Sequence, residues 1–145
     1  MVGIRALPVV PGGPRAFRYR IRRLGPLVAL APAAFLALAS FALLHGNTAT
    51  ARGVAGFAAA MLGGPALMAF GVPLANGTGK LLLGTAASAG LWLFVGLLAA
   101  RRATRSPVAR WRDFWREYLW LAAGIWTGVV VALAVVQLTV GRALL

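Results

Sequence analysis

The feature that most constrains this chain is an apolar run from Leu119 to Val140, which contains no formally charged residue. About 20 such residues are enough for a helix to cross the hydrocarbon core of a bilayer. A short collar of arginines and aromatic residues precedes the run. Its rings share one predicted helix face and belong to Trp111, Phe114, Trp115 and Tyr118. This order is typical of a helix that enters lipid from the membrane interface.

Local signals predict where this collar begins. Ser106 is a favourable N-cap residue, and Pro107 fits the first helical turn, where its missing N–H costs nothing. We therefore expect an amphipathic interfacial helix over about 107–118, followed by a membrane span over about 118–140.

Composition supports a membrane protein and argues against a nucleic-acid partner. The chain is 61% hydrophobic and 12% charged, whereas soluble domains are about a quarter charged. Its charge is one-sided, with 15 Lys and Arg residues against 2 Asp and Glu residues. The arginines flank long apolar runs instead of following one solvated face, which indicates contact with anionic lipid headgroups.

Three further apolar stretches predict three further spans, over about 24–44, 53–74 and 81–100. Residues 1–23 form a basic, cytoplasmic-type tail, and residues 24–145 form a single helical membrane domain. The predicted fold is therefore an all-α membrane protein with four transmembrane helices and an interfacial helix before the last.

The second stretch is ambiguous because Gly63, Gly64 and Pro65 interrupt its middle. If it crosses, the basic residues divide 8 against 7 between the two sides, and the positive-inside rule decides nothing. If it enters and returns as a re-entrant segment, the division becomes 12 against 3. Hydropathy favours a full span. Charge asymmetry favours re-entry.

A third alternative accepts the near-equal division of basic residues, 8 against 7, as a real property of the chain. The chain would then insert both ways up and form antiparallel dimers, as small four-span multidrug exporters and fluoride channels do. The likeness is one of size and charge balance, and none of their motifs is present.

The chemical inventory is narrow. The chain has no cysteine and a single histidine, His45. Thiolate sites, disulfides and a bis-histidine haem held by one chain are therefore excluded, and we expect no metal, cofactor or enzymatic activity.

Several residues are candidates for contacts. The predicted lipid-headgroup contacts are Arg18, Arg20, Arg22, Arg23, Arg101, Arg102, Arg110, Arg112, Arg116, Trp111 and Trp115. Gly124 and Gly128 form a GxxxG pair that predicts close helix packing. Glu117 has no cation four residues away on its helix, so we expect it to form a salt bridge with a more distant partner such as Arg101, Arg52 or another subunit.

These features predict a non-catalytic accessory or scaffold subunit of a larger integral-membrane complex, in contact with anionic lipid. The expected location is a bacterial inner membrane, and the expected partners are other membrane subunits or further copies of the chain. The alternative is a small homo-oligomeric channel or transporter, with Gly63, Gly64 and Pro65 lining its path.

Overall fold

Every regular element in the described part of the chain is a helix. The computed structural model describes residues 13–46, 49–71 and 77–143. The helices are α1 (Gly13–Val28), α2 (Leu30–Leu44), α3 (Thr50–Gly63), α4 (Ala66–Ala69), α5 (Thr78–Ala103) and α6 (Trp111–Ala143). Part of the predicted basic tail is therefore helical, and residues 1–12 of that tail lie outside the described residues.

Three stretches are long and apolar enough to cross a membrane, namely Arg15–Leu44, Thr78–Ala103 and Trp111–Thr139. They confirm an all-helical chain with membrane-length helices, but they do not confirm four complete spans. The predicted span over 53–74 is not among them, and residues 72–74 lie outside the described residues. The 14 residues of α3 rise about 21 Å, less than the ~30 Å of a hydrocarbon core.

The helices α1 and α2 follow one another with a single residue, Ala29, between them. Pro32 has no N–H to donate to the carbonyl of Val28, which interrupts the hydrogen-bond ladder at this point. The N–H of Ala29 still donates to the carbonyl of Gly25 at 2.9 Å. The helical path therefore continues through the interruption, and α1 and α2 together form the first membrane-length stretch.

The first stretch and α5 run in opposite directions and cross at glycine. A Cβ atom added at Gly96 would lie 2.5 Å from Cβ of Ala29 and 2.8 Å from Cα of Pro26. One added at Gly25 would lie 3.0 Å from Cβ of Ala100. Because the residue numbers rise on one helix as they fall on the other, the start of α1 lies beside the end of α5.

The helix α3 runs back along α2. A Cβ atom added at Gly56 would meet the side chain of Leu44, near the end of α2. One added at Gly63 would lie 3.1 Å from the carbonyl oxygen of Ala33, close to the start of α2. The helix α3 therefore begins beside the end of α2 and ends near the start of α2, so the two helices are antiparallel.

Large rings from α5 and α6 form the centre of the core. Trp92, Phe114 and Tyr118 are each at most 1% exposed, and Ile21 of α1 packs with them. Tyr118 Oη also donates to the carbonyl of Ala29 at 3.0 Å. Two of the four collar rings therefore lie inside the bundle.

The helix α6 begins at Trp111, four residues later than predicted, and continues without interruption into the apolar run. The separate interfacial helix over 107–118 is therefore not observed. The Asp113 carboxylate accepts the N–H of Arg110 at 3.0 Å, which is one half of a capping box. Ser106 instead accepts the N–H of Val108 at 3.4 Å within the preceding turn. The acidic residue, not the serine, caps the helix.

The crossing predicts a sharp difference between two glycines of α5. Gly96→Ala should lower the free energy of unfolding by about 1–3 kcal/mol, because the added methyl group overlaps α1. Gly90→Ala should cause no loss, because nothing lies within 4 Å of a Cβ atom there. Unfolding by SDS titration in mixed micelles, followed by circular dichroism, measures both. Equal losses would contradict the close crossing.

Candidate functional site

The junction between α3 and α4 is held by side chains from other helices. In a continuing helix the N–H groups of Ala66 and Leu67 would donate to the carbonyls of Leu62 and Gly63. The chain turns here, and those two N–H groups donate instead to the Ser88 hydroxyl and to the carbonyl of Gly64. Two indole groups replace those partners. Trp92 Nε1 donates to the carbonyl of Gly63 at 2.7 Å, and Trp126 Nε1 donates to the carbonyl of Leu62 at 3.1 Å.

Ser88 completes the junction from the other side. Its hydroxyl accepts the N–H of Ala66 at 3.2 Å and donates to the carbonyl of Gly84 at 2.8 Å. The side chain is 4% exposed, so both hydrogen bonds form away from solvent. One hydroxyl therefore satisfies a backbone donor that the turn has freed, while remaining bonded to its own helix.

The contacts with α5 also give the direction of the segment. As the chain passes from Gly63 to Leu67, its partners on α5 change from Trp92 to Ser88 and then to Gly84. Each step is four residues closer to the start of α5. The chain therefore reverses at the junction, so that α4 returns toward the end of the bundle from which α3 came.

An apolar groove of about 790 Å³ adjoins the junction, between α2, α3, α4 and α5. Gly63 and Gly64 line it, whereas Pro65 is not among its lining residues. Phe41 and Leu81 also line it and are 66% and 47% exposed, so the groove is open to the surroundings of the protein. The carbonyls of Leu62 and Gly63 are bonded to indoles and are not free ligands for an ion. The arrangement therefore suits an apolar occupant better than an ion path.

A second candidate site lies where the end of α5 meets α1. Thr104, which is fully buried, receives two arginine side chains of α1. Arg18 donates to its carbonyl at 3.0 Å, and Arg22 Nε donates to its hydroxyl oxygen at 2.9 Å. The same hydroxyl donates to the carbonyl of Ala100 at 2.8 Å. Cations near the last carbonyls of a helix also interact favourably with the negative end of the helix dipole.

The predicted headgroup contacts are brought to this one end of the bundle. Arg18 is half-buried, and the exposed members are Arg20, Arg22, Arg23, Arg101, Arg102, Arg110, Arg112 and Arg116. Trp111 and Trp115 are half-buried because both pack edge-on against Phe114, with ring centroids 5.5 and 5.4 Å apart. These tryptophans therefore take part in packing as well as facing the surroundings.

The two carboxylates are both engaged locally. Glu117 pairs with its neighbour Arg116 at 3.4 Å, so it does form a salt bridge, but not with a distant residue. Asp113 caps α6 through the N–H of Arg110. Across residues 13–46, 49–71 and 77–143, no other ion pair is present and no three His, Asp or Glu side chains form a metal-holding group.

Gly124 and Gly128 do not pack against the part of the chain that the structure describes. Both are exposed, and nothing lies within 4 Å of a Cβ atom added at either position. The predicted packing face is therefore open to lipid or to another polypeptide.

Sequence reasoning missed the four side chains that build these sites, which are Trp92, Trp126, Ser88 and Thr104. A signal exists for the first two, because an indole N–H in an apolar helix needs an acceptor. That signal identifies the need for a partner without identifying the partner. Serine and threonine can bond to their own helix backbone, so their contacts with a second helix leave no pattern in the sequence.

Over the described residues the fold is all-helical, with three helical stretches long and apolar enough to span a membrane. Comparison with protein-family models, with curated proteins and with solved structures found no match for this chain.

Removing the Ser88 hydroxyl tests the junction. Ser88→Ala should lower the free energy of unfolding by about 1–3 kcal/mol, because the buried N–H of Ala66 loses its acceptor. Thr127→Ala is the matched control, since Thr127 is exposed and its hydroxyl donates to the carbonyl of Ala123 in its own helix at 2.8 Å. Thermal denaturation in mild detergent should show a shift for the first variant alone; a stable Ser88→Ala protein would remove its role at the junction.

Proposed function

We propose that this protein is a non-catalytic accessory or scaffold subunit of a larger integral-membrane complex. The observation that carries the proposal is the sparsely packed part of α6 that follows Trp126. This part is apolar and uncharged up to Val140, and the side chains described there are exposed or half-buried. A subunit that offers one such helix is suited to pack against another membrane protein.

The two halves of α6 differ in what surrounds them. Phe114, Tyr118 and Ala122 are at most 1% exposed, and they lie in the first half. Beyond residue 122, no side chain that the structure describes in α6 is buried, and Val131 and Leu138 are 55% and 63% exposed. Exposed apolar surface of this kind suits lipid or a partner helix. The open Gly124 and Gly128 pair adds a surface on which a helix could approach closely.

We further propose a three-span topology in which α3 and α4 form a re-entrant segment. The opposite directions of the first stretch and α5 support it, because consecutive crossings are antiparallel, whereas a first and a third crossing would be parallel. The reversal at the junction supports it as well. This topology puts 12 basic residues on one side and 3 on the other, so we propose that the basic end faces the cytoplasm of a bacterial cell, in contact with anionic lipid.

Single cysteines introduced into this cysteine-free chain test the topology directly. Ala49→Cys, Thr78→Cys and Ser106→Cys are at exposed positions between the membrane-length helices. With a membrane-impermeant maleimide, positions 49 and 78 should react from one side and position 106 from the other. All three should react after permeabilisation. With four complete spans, positions 49 and 106 would react from the same side of the membrane and position 78 from the opposite side.

Substitution at the open glycine pair tests the subunit role. Gly124→Leu combined with Gly128→Leu should reduce recovery of the unlike membrane partner about tenfold, the effect of ~1.4 kcal/mol in binding. Gly90→Leu is the control, because Gly90 is also an exposed glycine with open space around it. Purification in mild detergent with mass-spectrometric identification gives the readout. Unchanged recovery would contradict α6 as the contact.

The alternative of a small homo-oligomeric channel or transporter rests on the 790 Å³ groove beside Gly63 and Gly64. The engaged carbonyls of Leu62 and Gly63 weigh against an ion path there. The same purification separates the two functions. An unlike partner supports the accessory subunit, and a defined homo-oligomer without one supports the alternative.

A further inference from the structure

The arginines of α1 do not all face the same surroundings. Arg15, Arg18 and Arg22 lie at spacings of three and four, so they share one helix face. Together with Tyr19 they line a hollow of about 300 Å³ at the basic end of the bundle. Arg20 and Arg23 point in other directions and line a separate surface with Leu24 and Leu27.

Two of the three arginines in the hollow are held in place. Arg18 and Arg22 each give one donor to Thr104, which is fully buried at the end of α5. A guanidinium group has five N–H donors, so most donors of each group remain for another acceptor. Anchoring in this way reduces the conformational freedom that a ligand would otherwise have to restrict.

These positive charges have no carboxylate partner. The whole chain contains 2 acidic residues, Asp113 and Glu117. Asp113 caps the start of α6, and Glu117 pairs with Arg116. The hollow therefore joins three guanidinium groups without a local counter-ion, which favours an anion with several oxygen acceptors. Carboxylate and phosphate both match the arginine fork, and the additional oxygens of phosphate suit a site with three guanidinium groups.

We propose that Arg15, Arg18 and Arg22 form a discrete binding site for the phosphate group of an anionic phospholipid, preorganised by Thr104. The site extends the proposed function, on whose lipid-contact part it rests. A lipid is the favoured source because the hollow lies at the basic start of the membrane-length stretch Arg15–Leu44, where anionic headgroups would meet the chain. Anionic lipid surfaces attract such basic clusters.

The site makes a prediction that general attraction to a charged surface does not make. Arg18→Gln with Arg22→Gln should weaken binding of phosphatidylglycerol about tenfold or more, because charge-assisted hydrogen bonds are lost. Arg20→Gln with Arg23→Gln removes the same charge from the same helix and should weaken binding by no more than about twofold, because exposed headgroup contacts outside the hollow contribute only general attraction. Arg15→Gln should weaken it severalfold, and it serves as a second variant because its exposed side chain has no hydrogen bond to the described residues.

Thr104 separates preorganisation from charge. Thr104→Val keeps every arginine but removes the oxygen that accepts from Arg22, so binding should weaken severalfold. Thr104→Ser retains the hydroxyl and should restore it. Circular dichroism and thermal denaturation of each variant verify that the helices remain folded.

The measurement is lipid retention by the full chain in native mass spectrometry, after incubation with mixed phosphatidylglycerol and phosphatidylcholine micelles and with inorganic phosphate as competitor. Loss in the Arg18/Arg22, Arg15 and Thr104→Val variants, with retention in the Arg20/Arg23 control, supports the site. Equal loss in the control overturns the site but leaves general lipid contact intact. Unchanged retention in every variant overturns both, and displacement by inorganic phosphate overturns a lipid as the source. Recovery of the protein partner is a separate readout, so failure of the subunit role is distinguishable.

Discussion

The structure depends on one constraint that holds wherever water is excluded, which is that every backbone N–H and C=O must find a partner within the protein. An ordinary helix meets this constraint by itself, but a chain that reverses at Pro65 cannot. Here the partners are the indoles of Trp92 and Trp126 and the hydroxyl of Ser88, which come from α5 and α6. The arrangement of α3 and α4 therefore depends on tertiary contacts with α5 and α6. It exists because two neighbouring helices supply donors and an acceptor at the right depth.

The same arrangement explains how the basic residues are distributed. Because α1 and α5 are antiparallel and cross closely at Gly96, arginines that are 80 residues apart in sequence gather at one end of the bundle. Like charges brought together repel one another. Some of this repulsion is offset inside the protein, where the C-terminal carbonyls of α5 attract Arg18 and Arg22 toward Thr104. The remainder requires anions from outside, because the chain has 15 basic and 2 acidic residues.

Sequence reasoning succeeded where each residue contributes independently to the outcome, and it failed where the outcome depends on contacts between distant residues. An apolar run such as 119–140 identifies a membrane-length helix because each residue contributes independently to transfer into lipid. The start of α6 was predicted wrongly because Ser106 and Asp113 are both plausible caps, and their competition is decided by the turn that joins α5 to α6. The stretch over 53–74 has the hydropathy of a span, but hydropathy carries no information on direction. The glycine and proline residues of the junction were visible in the sequence, whereas the indoles that complete it were not, since their acceptors are 29 and 64 residues away.

The division of α6 into two halves gives the accessory role its physical basis. Its first half carries rings that fill the space between α1 and α5, with Phe114 and Tyr118 completely enclosed. Its second half, beyond Trp126, is rich in glycine, alanine and valine, and none of the side chains described there is buried. Trp126 marks the boundary, because its indole donates to the carbonyl of Leu62 at the end of α3. Small side chains let a helix be approached closely, and in lipid that closeness is what makes helix association favourable. The first half thus packs within the helical bundle, and the second half offers the surface through which we propose that the protein joins a complex.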